Sequence, residues 1–400
     1  MYGHRVNRIW KIALLAVAAF SVASCCEKED VNQETLRSVL IYMAGNNNLS
    51  SDLIYNIESL KQGFLPYNGN ILIYLDVPNK NPVLLKLVKN KATNSIVTDT
   101  IAKYGAGEHA TDPAVLTKTL NYMRDHYPAK EYGLILSSHG TGWLPAGLYT
   151  YQSRASVAVS HVRKDVPDVK TFGEYPPWGD KGMDIKDMAA AIPFRLSFIL
   201  FDACLMGGIE VLYAMRNVTD YVVAAPTEIM SSGFPYNQIM QPLFLPNPDY
   251  KGVCNTFFNY YSTHPGGASW QYATIALYHT EALQELAGVV KAIFRAHRTA
   301  LNQFSPGEVQ YYDRLWTHLF FDFAHFIGQL ATPSEYALFK AALDKVVIHK
   351  RATDFFMTTP INQEHFSGIS TFIPSGVQSA YRDGYKLTDW NHAVQMLEYQ

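Results

Sequence analysis

Short apolar runs that end in turn residues recur along the first 240 positions. Val39 to Met43 runs into Ala44-Gly45-Asn46-Asn47-Asn48, and Ile71 to Leu75 stops at Asp76. Both read as buried strands, and Val83 to Val88 as a third. Tyr132 to Ser138 and Leu196 to Ala203 repeat the pattern, and Tyr221 to Ala225 closes the set. Between the runs the period is helical. Asp112-Pro113 can cap a segment whose Leu116, Leu120 and Met123 share one face, a short helix is expected from Asp184 to Ile192, and another from about Gly207 to Arg216. Strands alternating with helices predict an α/β fold with a mostly parallel sheet covered on both faces.

Past about Met240 the texture becomes helix-rich and aromatic. Phe257 to Tyr261 and Phe320 to Phe326 carry much of it, and Thr280 is the expected cap of a helix bearing Leu283, Leu286, Ala287, Val290 and Phe294. Thr274 to Tyr278 and Gly368 to Ile373 add strand-like runs. The expected division is a catalytic α/β domain over 38–240 and a C-terminal subdomain over 241–400, packed together because no Gly/Ser/Pro-rich linker intervenes.

The N-terminus follows other rules. Arg5, Arg8 and Lys11 precede an apolar stretch from Ile12 to Val22, too short to span a bilayer comfortably, which predicts an export signal over 1–24. Val22-Ala23-Ser24-Cys25 resembles a bacterial lipobox, which implies lipidation at Cys25 and a membrane anchor; Cys26 is a poorer acceptor. Residues 25–37 read as a tether, and its Glu27-Lys28-Glu29-Asp30 resembles the surface-export signal of Bacteroidetes-type lipoproteins. The expected location is the cell envelope, at the outer membrane and exposed at its surface.

Composition narrows the partners. The 400-residue chain is 48% hydrophobic and 17% charged, with a formal net charge of −2 that becomes about −5 once the basic leader is removed. A near-neutral to acidic chain without a basic stripe is a poor match for nucleic acid. Of its four cysteines, Cys25 and Cys26 belong to the anchor, which leaves Cys204 and Cys254. Cys254 reads as a lone buried thiol.

Candidate chemistry lies at two strand ends. His139 and Cys204 each leave an apolar run, and in an open α/β sheet the carboxyl ends of neighbouring strands share one rim. A thiol attacks an amide as thiolate, and an imidazole can take its proton and return one to the leaving amine. His139 is the candidate base. Gly140 leaves its N–H open to a substrate oxygen, so that the N–H groups of Gly140 and Cys204 make a candidate oxyanion hole. Gly207 and Gly208 place a helix start close behind Cys204, whose dipole is expected to favour the thiolate.

Ser138-His139-Gly140 and Asp202-Ala203-Cys204 together resemble the caspase-like cysteine peptidases. Within them, Tyr42-Met43-Ala44-Gly45-Asn46-Asn47-Asn48-Leu49, His139-Gly140-Thr141-Gly142-Trp143 and Phe201-Asp202-Ala203-Cys204-Leu205-Met206 resemble motifs of the clostripain family. The resemblance implies a caspase-like α/β/α sandwich, a Cys/His dyad, a polypeptide substrate and cleavage after Arg or Lys. It places Asp202 at the floor of the pocket for the basic P1 side chain, with Glu228 as a supplement. A buried carboxylate matched to a cation is physically sensible there. Family members often carry Asp where this chain has Asn46 and Asn48, which weakens the case for an inherited calcium requirement. No metal or cofactor is expected.

The stretch from Trp143 to Met183 carries Arg154, Arg163, Lys164, Lys170 and Lys181, sites that an enzyme cutting after basic residues would find in its own chain. The resemblance implies cleavage of such a loop during maturation, and Arg154-Ala155 is the first expected site. Rival chemistries lack their motifs. There is no Gly-x-Ser-x-Gly, His-Glu-x-x-His or Cys-x-x-Cys, and Gly105-Ala106-Gly107 is too incomplete for a dinucleotide loop. The alternative of another class is a catalytically silent surface lipoprotein that keeps the peptidase fold and binds glycan or protein through exposed aromatics.

Overall fold

The apolar runs assemble into a nine-stranded sheet in a computed structural model that describes residues 34–65, 67–145, 182–315 and 317–398. Its strands are β1 (Arg37–Ala44), β2 (Gly69–Asp76), β3 (Val83–Lys89), β4 (Ile96–Lys103), β5 (Glu131–Ser137), β6 (Leu196–Asp202), β7 (Thr219–Ala224) and β8 (Thr274–His279). A two-residue strand, β9 (Phe321–Asp322), pairs outside it, and β10 (Val347–Ala352) completes the large sheet. The order is β10-β8-β7-β6-β5-β1-β2-β3-β4. The five central strands from β7 to β2 are parallel, and the outer pairs are antiparallel. Parallel strands buried on both faces need continuous apolar runs, which is why β1, β5 and β6 were legible.

The helices fall into two packed groups. Helix α1 (Ser50–Gln62) lies between β1 and β2 in sequence, whereas α2 (Pro113–His126), α3 (Ile185–Ala190) and α4 (Ile209–Met215) flank the strands on the other side of β1. Right-handed crossovers that run in opposite directions from β1 put these helices on opposite faces. Accordingly α1 packs on α5 (Tyr236–Leu243), which packs on α6 (Tyr250–Ser262), while α2, α3 and α4 form a second chain of contacts that continues through 389–394 to α7 (Leu283–Ala296). Asp112 caps α2 by accepting the Ala114 N–H, and Leu116, Leu120 and Met123 are buried as their spacing predicts.

Strands β8 and β10 come from beyond residue 240 and extend the same sheet, so the boundary expected there falls inside the set of strands; the described residues from 35 onward form one compact unit. Thr280 does not cap α7. Its hydroxyl bonds to the carbonyls of Thr219 and Asp220, tying β7 to β8, and Ala282 occupies the cap position. Both Cys204 and Cys254 are unbridged thiols. Cys25, Arg154 and the other basic residues of the 143–183 loop lie outside the described residues. Among the described residues no helix is long and apolar enough to cross a membrane.

Because β1 has β2 on one side and β5 on the other, the strand order reverses between β1 and β5. In open α/β sheets the crevice outside the carboxyl ends at that reversal is where ligands bind. A cavity of about 90 Å³ lies there, lined from β1 by Tyr42 and Ala44, from the β5 end by Ser137 to Gly142, and by Met183 and Met206.

Candidate active site

Strand register brings the site together. Ser137 pairs with Asp202 across β5 and β6, so His139 and Cys204 each stand two residues beyond a paired position on adjacent parallel strands. The turns after them are in van der Waals contact. A Cβ built on Gly140 would lie 2.3 Å from the Cys204 carbonyl oxygen and 2.9 Å from its nitrogen, so only glycine lets the histidine turn approach the Cys204 backbone. The two N–H donors expected to form the oxyanion hole therefore belong to residues that touch.

The turn at Cys204 is sharp. Leu205 adopts φ +62°, a left-handed conformation uncommon for a side chain that bears a Cβ, and its N–H bonds to the Thr227 carbonyl at 2.8 Å. The helix that follows starts only at Ile209 and has seven residues. The expected helix-dipole assistance to Cys204 is therefore absent, because Gly207 and Gly208 lengthen the turn beyond the reach of a dipole that fades within one turn. A backbone donor takes its place. The Ile229 N–H points at Cys204 Sγ from 3.1 Å, and Sγ lies 3.6 Å from the Ile229 carbonyl. Hydrogen bonding to the charged form of a thiol favours that form. Cys204 is 0% exposed and His139 8%.

Asp202 is also 0% exposed, at the end of β6. It accepts from Ser137 Oγ at 2.6 Å and Tyr236 OH at 3.0 Å. Gly233, at φ +69°, folds over it so closely that a Cβ there would lie 2.6 Å from Asp202 Oδ1. Glu228 is engaged differently from expectation. Arg314 grips its carboxylate in a two-pronged ion pair at 2.5 and 3.0 Å, so its charge is met within the chain and not held for a substrate cation. The neighbouring Asp313 holds Arg314 in place by accepting the N–H groups of Leu315, Leu319 and Phe320. Thr227, Glu228 and Ile229 all border the Cys204 turn, so this pair braces the segment that donates to Cys204.

Beyond the Cys204 turn, Glu210 on α4 is buried and accepts from Thr371 Oγ1 at 3.0 Å and the Phe372 N–H at 2.9 Å. Burial pushes its carboxyl up to about 7. A raised carboxyl in the fold means that the stability it permits is complete below its unfolded value, near 4.5, and is lost as pH rises toward 7. Glu210→Gln is expected to remove that loss, a gain on the order of 3 kcal/mol at pH 8 relative to the parent and much less at pH 5. Urea melts of both proteins at the two pH values measure it, and equal differences at both would contradict the assignment.

Among the described residues no group of three or more His, Cys, Asp or Glu side chains is arranged to hold a metal ion. Sequence reasoning missed three contributors: Asn48, whose Oδ1 lies 2.7 Å from His139 Nε2, the Ile229 backbone, and Arg314. Only Asn48 left a trace, as part of the Asn46-Asn47-Asn48 turn at a strand end.

A parallel sheet whose rim presents a His-Gly turn against a cysteine turn defines the caspase-like cysteine peptidase class. The model of the clostripain family, peptidase family C11, matches residues 41–399, and the chain belongs to that family. Clostripain from Hathewaya histolytica is 24% identical over 254 residues, covering 54% of this chain and 44% of its own, so the chain spans less than half the length of that curated relative. Among solved structures, the inactive zymogen of a C11 protease from Parabacteroides distasonis is similar at 31% identity and TM-score 0.75, covering 90% of this chain and 98% of that one. A secreted C11 cysteine protease from Bacteroides thetaiotaomicron, solved with an irreversible peptide inhibitor, is similar at 27% identity and TM-score 0.74 with the same coverage.

Proposed function

We propose that the chain is a cysteine endopeptidase in which Cys204 is the nucleophile and His139 its acid and base, cleaving polypeptides after Arg or Lys without a cofactor. The observation that carries this reading is the contact between the Gly140 and Cys204 backbones at the rim of two parallel strands in register. The thiol proton passes to the imidazole, and the thiolate attacks the scissile carbonyl. The resulting oxyanion is received by the N–H groups of Gly140 and Cys204. The imidazolium then gives its proton to the leaving amine, and water hydrolyses the thioester. Asp202 supplies the charge for a basic P1 side chain. The similar Bacteroides thetaiotaomicron protease was solved with a peptide inhibitor, which supports a polypeptide as substrate here. The silent binding module is not favoured, since the large aromatics exposed among the described residues, Tyr55 and Phe355, stand on separate elements. A fluorogenic peptide panel varying P1 tests the reading. Hydrolysis should favour Arg or Lys by roughly 100-fold or more, and a preference for acidic or neutral P1 would overturn the specificity.

Cys204 and Asp202 have no exposed surface, which supports a resting precursor whose site opens later. We propose that cleavage after Arg154 opens it. Purified wild type should then convert to two fragments, one beginning at Ala155 or after another basic residue of the loop, while Cys204→Ala stays whole; a fully active but uncut chain contradicts this. We also propose that Cys25 is lipidated and anchors the protein to the outer membrane, facing outward. The mature protein should sediment with membranes and incorporate labelled palmitate, since several acyl chains hold firmly. Soluble, unlabelled protein would refute the anchor.

A further inference from the structure

The turn after β1 is built to deliver one side chain to the histidine. The Ala44 carbonyl accepts from Ser138 Oγ at 2.7 Å, which ties the β1 end to the β5 end beside His139. The same carbonyl accepts from Asn47 Nδ2 at 3.1 Å, while Asn47 Oδ1 accepts the Leu49 N–H at 2.9 Å. Asn47 and Leu49 are both buried, so the residue between them is held from either side. That residue is Asn48. Its Oδ1 lies 2.7 Å from His139 Nε2, a contact between residues 91 apart in sequence.

We propose that Asn48 is the third member of the catalytic unit, a positioning residue that fixes the tautomer and orientation of His139. The proposal rests on the dyad reading above and deepens it. An amide oxygen is only an acceptor, so the imidazole facing it carries its proton on Nε2. The basic lone pair is then on Nδ1, which is buried. Nδ1 takes the Cys204 thiol proton as the C–S bond to the substrate forms, and gives it to the amine as the C–N bond breaks; in the second half it takes a proton from water as the water oxygen bonds to the thioester carbon, and the C–S bond then breaks, releasing the acid and returning the proton to Cys204. Throughout, Nε2–H stays on Asn48, which steadies the imidazolium without itself titrating. A partner that orients the base and selects its tautomer is a general feature of nucleophile–base pairs.

Asn48 is a neutral partner. The described residues lining the cavity against His139 include no carboxylate, lysine or arginine. Among the described residues the nearby acids are engaged elsewhere: Asp202 bonds Ser137 and Tyr236 on the neighbouring strand end, Glu228 bonds Arg314 beside the cysteine turn, and Asp76 at the end of β2 accepts the Ala110 N–H. The other titrating group of the unit is Cys204 itself, on the turn after β6.

Two measurements test the assignment. In ¹⁵N-histidine-labelled Cys204→Ala protein, the His139 nitrogens should show the Nε2–H tautomer when neutral, with pyridine-like Nδ1; the Nδ1–H tautomer would overturn the proposal whatever the activity. In otherwise native enzyme, Asn48→Leu should lower kcat roughly 10- to 100-fold with KM within about twofold, as expected for a support to the general base. Asn48→Asp keeps the acceptor and adds a charge. It should retain most of kcat and move the limb of the pH–rate profile that reports the imidazolium upward by about one unit. Loss of activity in Asn48→Asp with no shift, or an unchanged profile and turnover in Asn48→Leu, would also overturn it. A Cys204→Ala protein that kept its turnover would remove the dyad but not the tautomer result, so the two failures are distinguishable.

Discussion

Cys204→Ala is expected to lower peptide hydrolysis by roughly 10⁴-fold or more, and His139→Ala by a comparable factor, with the double variant scarcely worse than either. Non-additivity follows because the two groups act as a unit: without the thiolate there is nothing for the base to activate, and without the base the thiol is a poor nucleophile near neutral pH. Neither change should unfold the protein. Cys204→Ala removes one sulfur from a turn held by the Leu205–Thr227 and Gly207–Ala225 backbone bonds, and the sheet register does not depend on it. Steady-state kinetics with a denaturation curve of each variant measures both halves, and either variant retaining wild-type turnover would contradict the mechanism.

The second large effect is expected at Asp202. Replacing it with Asn preserves shape and the bonds from Ser137 and Tyr236 but removes the charge. If that charge meets the P1 cation, discrimination for Arg or Lys over neutral residues should fall by a few kcal/mol, roughly 10²- to 10³-fold in relative kcat/KM. Turnover of neutral-P1 peptides should change little. A loss spread evenly over all P1 residues would mean that Asp202 serves the fold, holding the ends of β5 and β6 against the Gly233 turn. The complete burial of Asp202 makes this comparison between substrates decisive, since an anchoring carboxylate and a specificity carboxylate look alike from their internal bonds.

The parts of this molecule that were legible in sequence are those dictated by local pattern. Parallel strands buried on both faces demand unbroken apolar runs, so β1, β2, β5, β6 and β7 showed themselves, and the shared setting of His139 and Cys204 at strand ends followed. Edge strand β4 did not show, because Ile96 to Lys103 lies open to solvent on much of its surface and alternates weakly. Helix α1 was hidden behind the Asn46 to Asn48 turn, although Leu53, Ile57 and Leu60 bury one face. The helix start behind Cys204 was placed too early since two glycines and a left-handed Leu205 extend the turn. The supports of the site were the least legible. Asn48 meets His139 across 91 residues and Arg314 meets Glu228 across 86, and such pairings leave no mark on periodicity or composition.

The most direct measurement of the central claim is the site of covalent capture by an irreversible peptide with Arg or Lys at its reactive end. The protein has two thiols beyond residue 26. Cys254 lies buried on α6, and burial pushes its thiol far above the usual range, so it is inert by chemistry. Once the loop has been cleaved, peptide mapping after inactivation should therefore find one label, on Cys204, with loss of activity in step with labelling and none in His139→Ala on the same timescale. Label on Cys254, or full inactivation with Cys204 unmodified, would contradict the account.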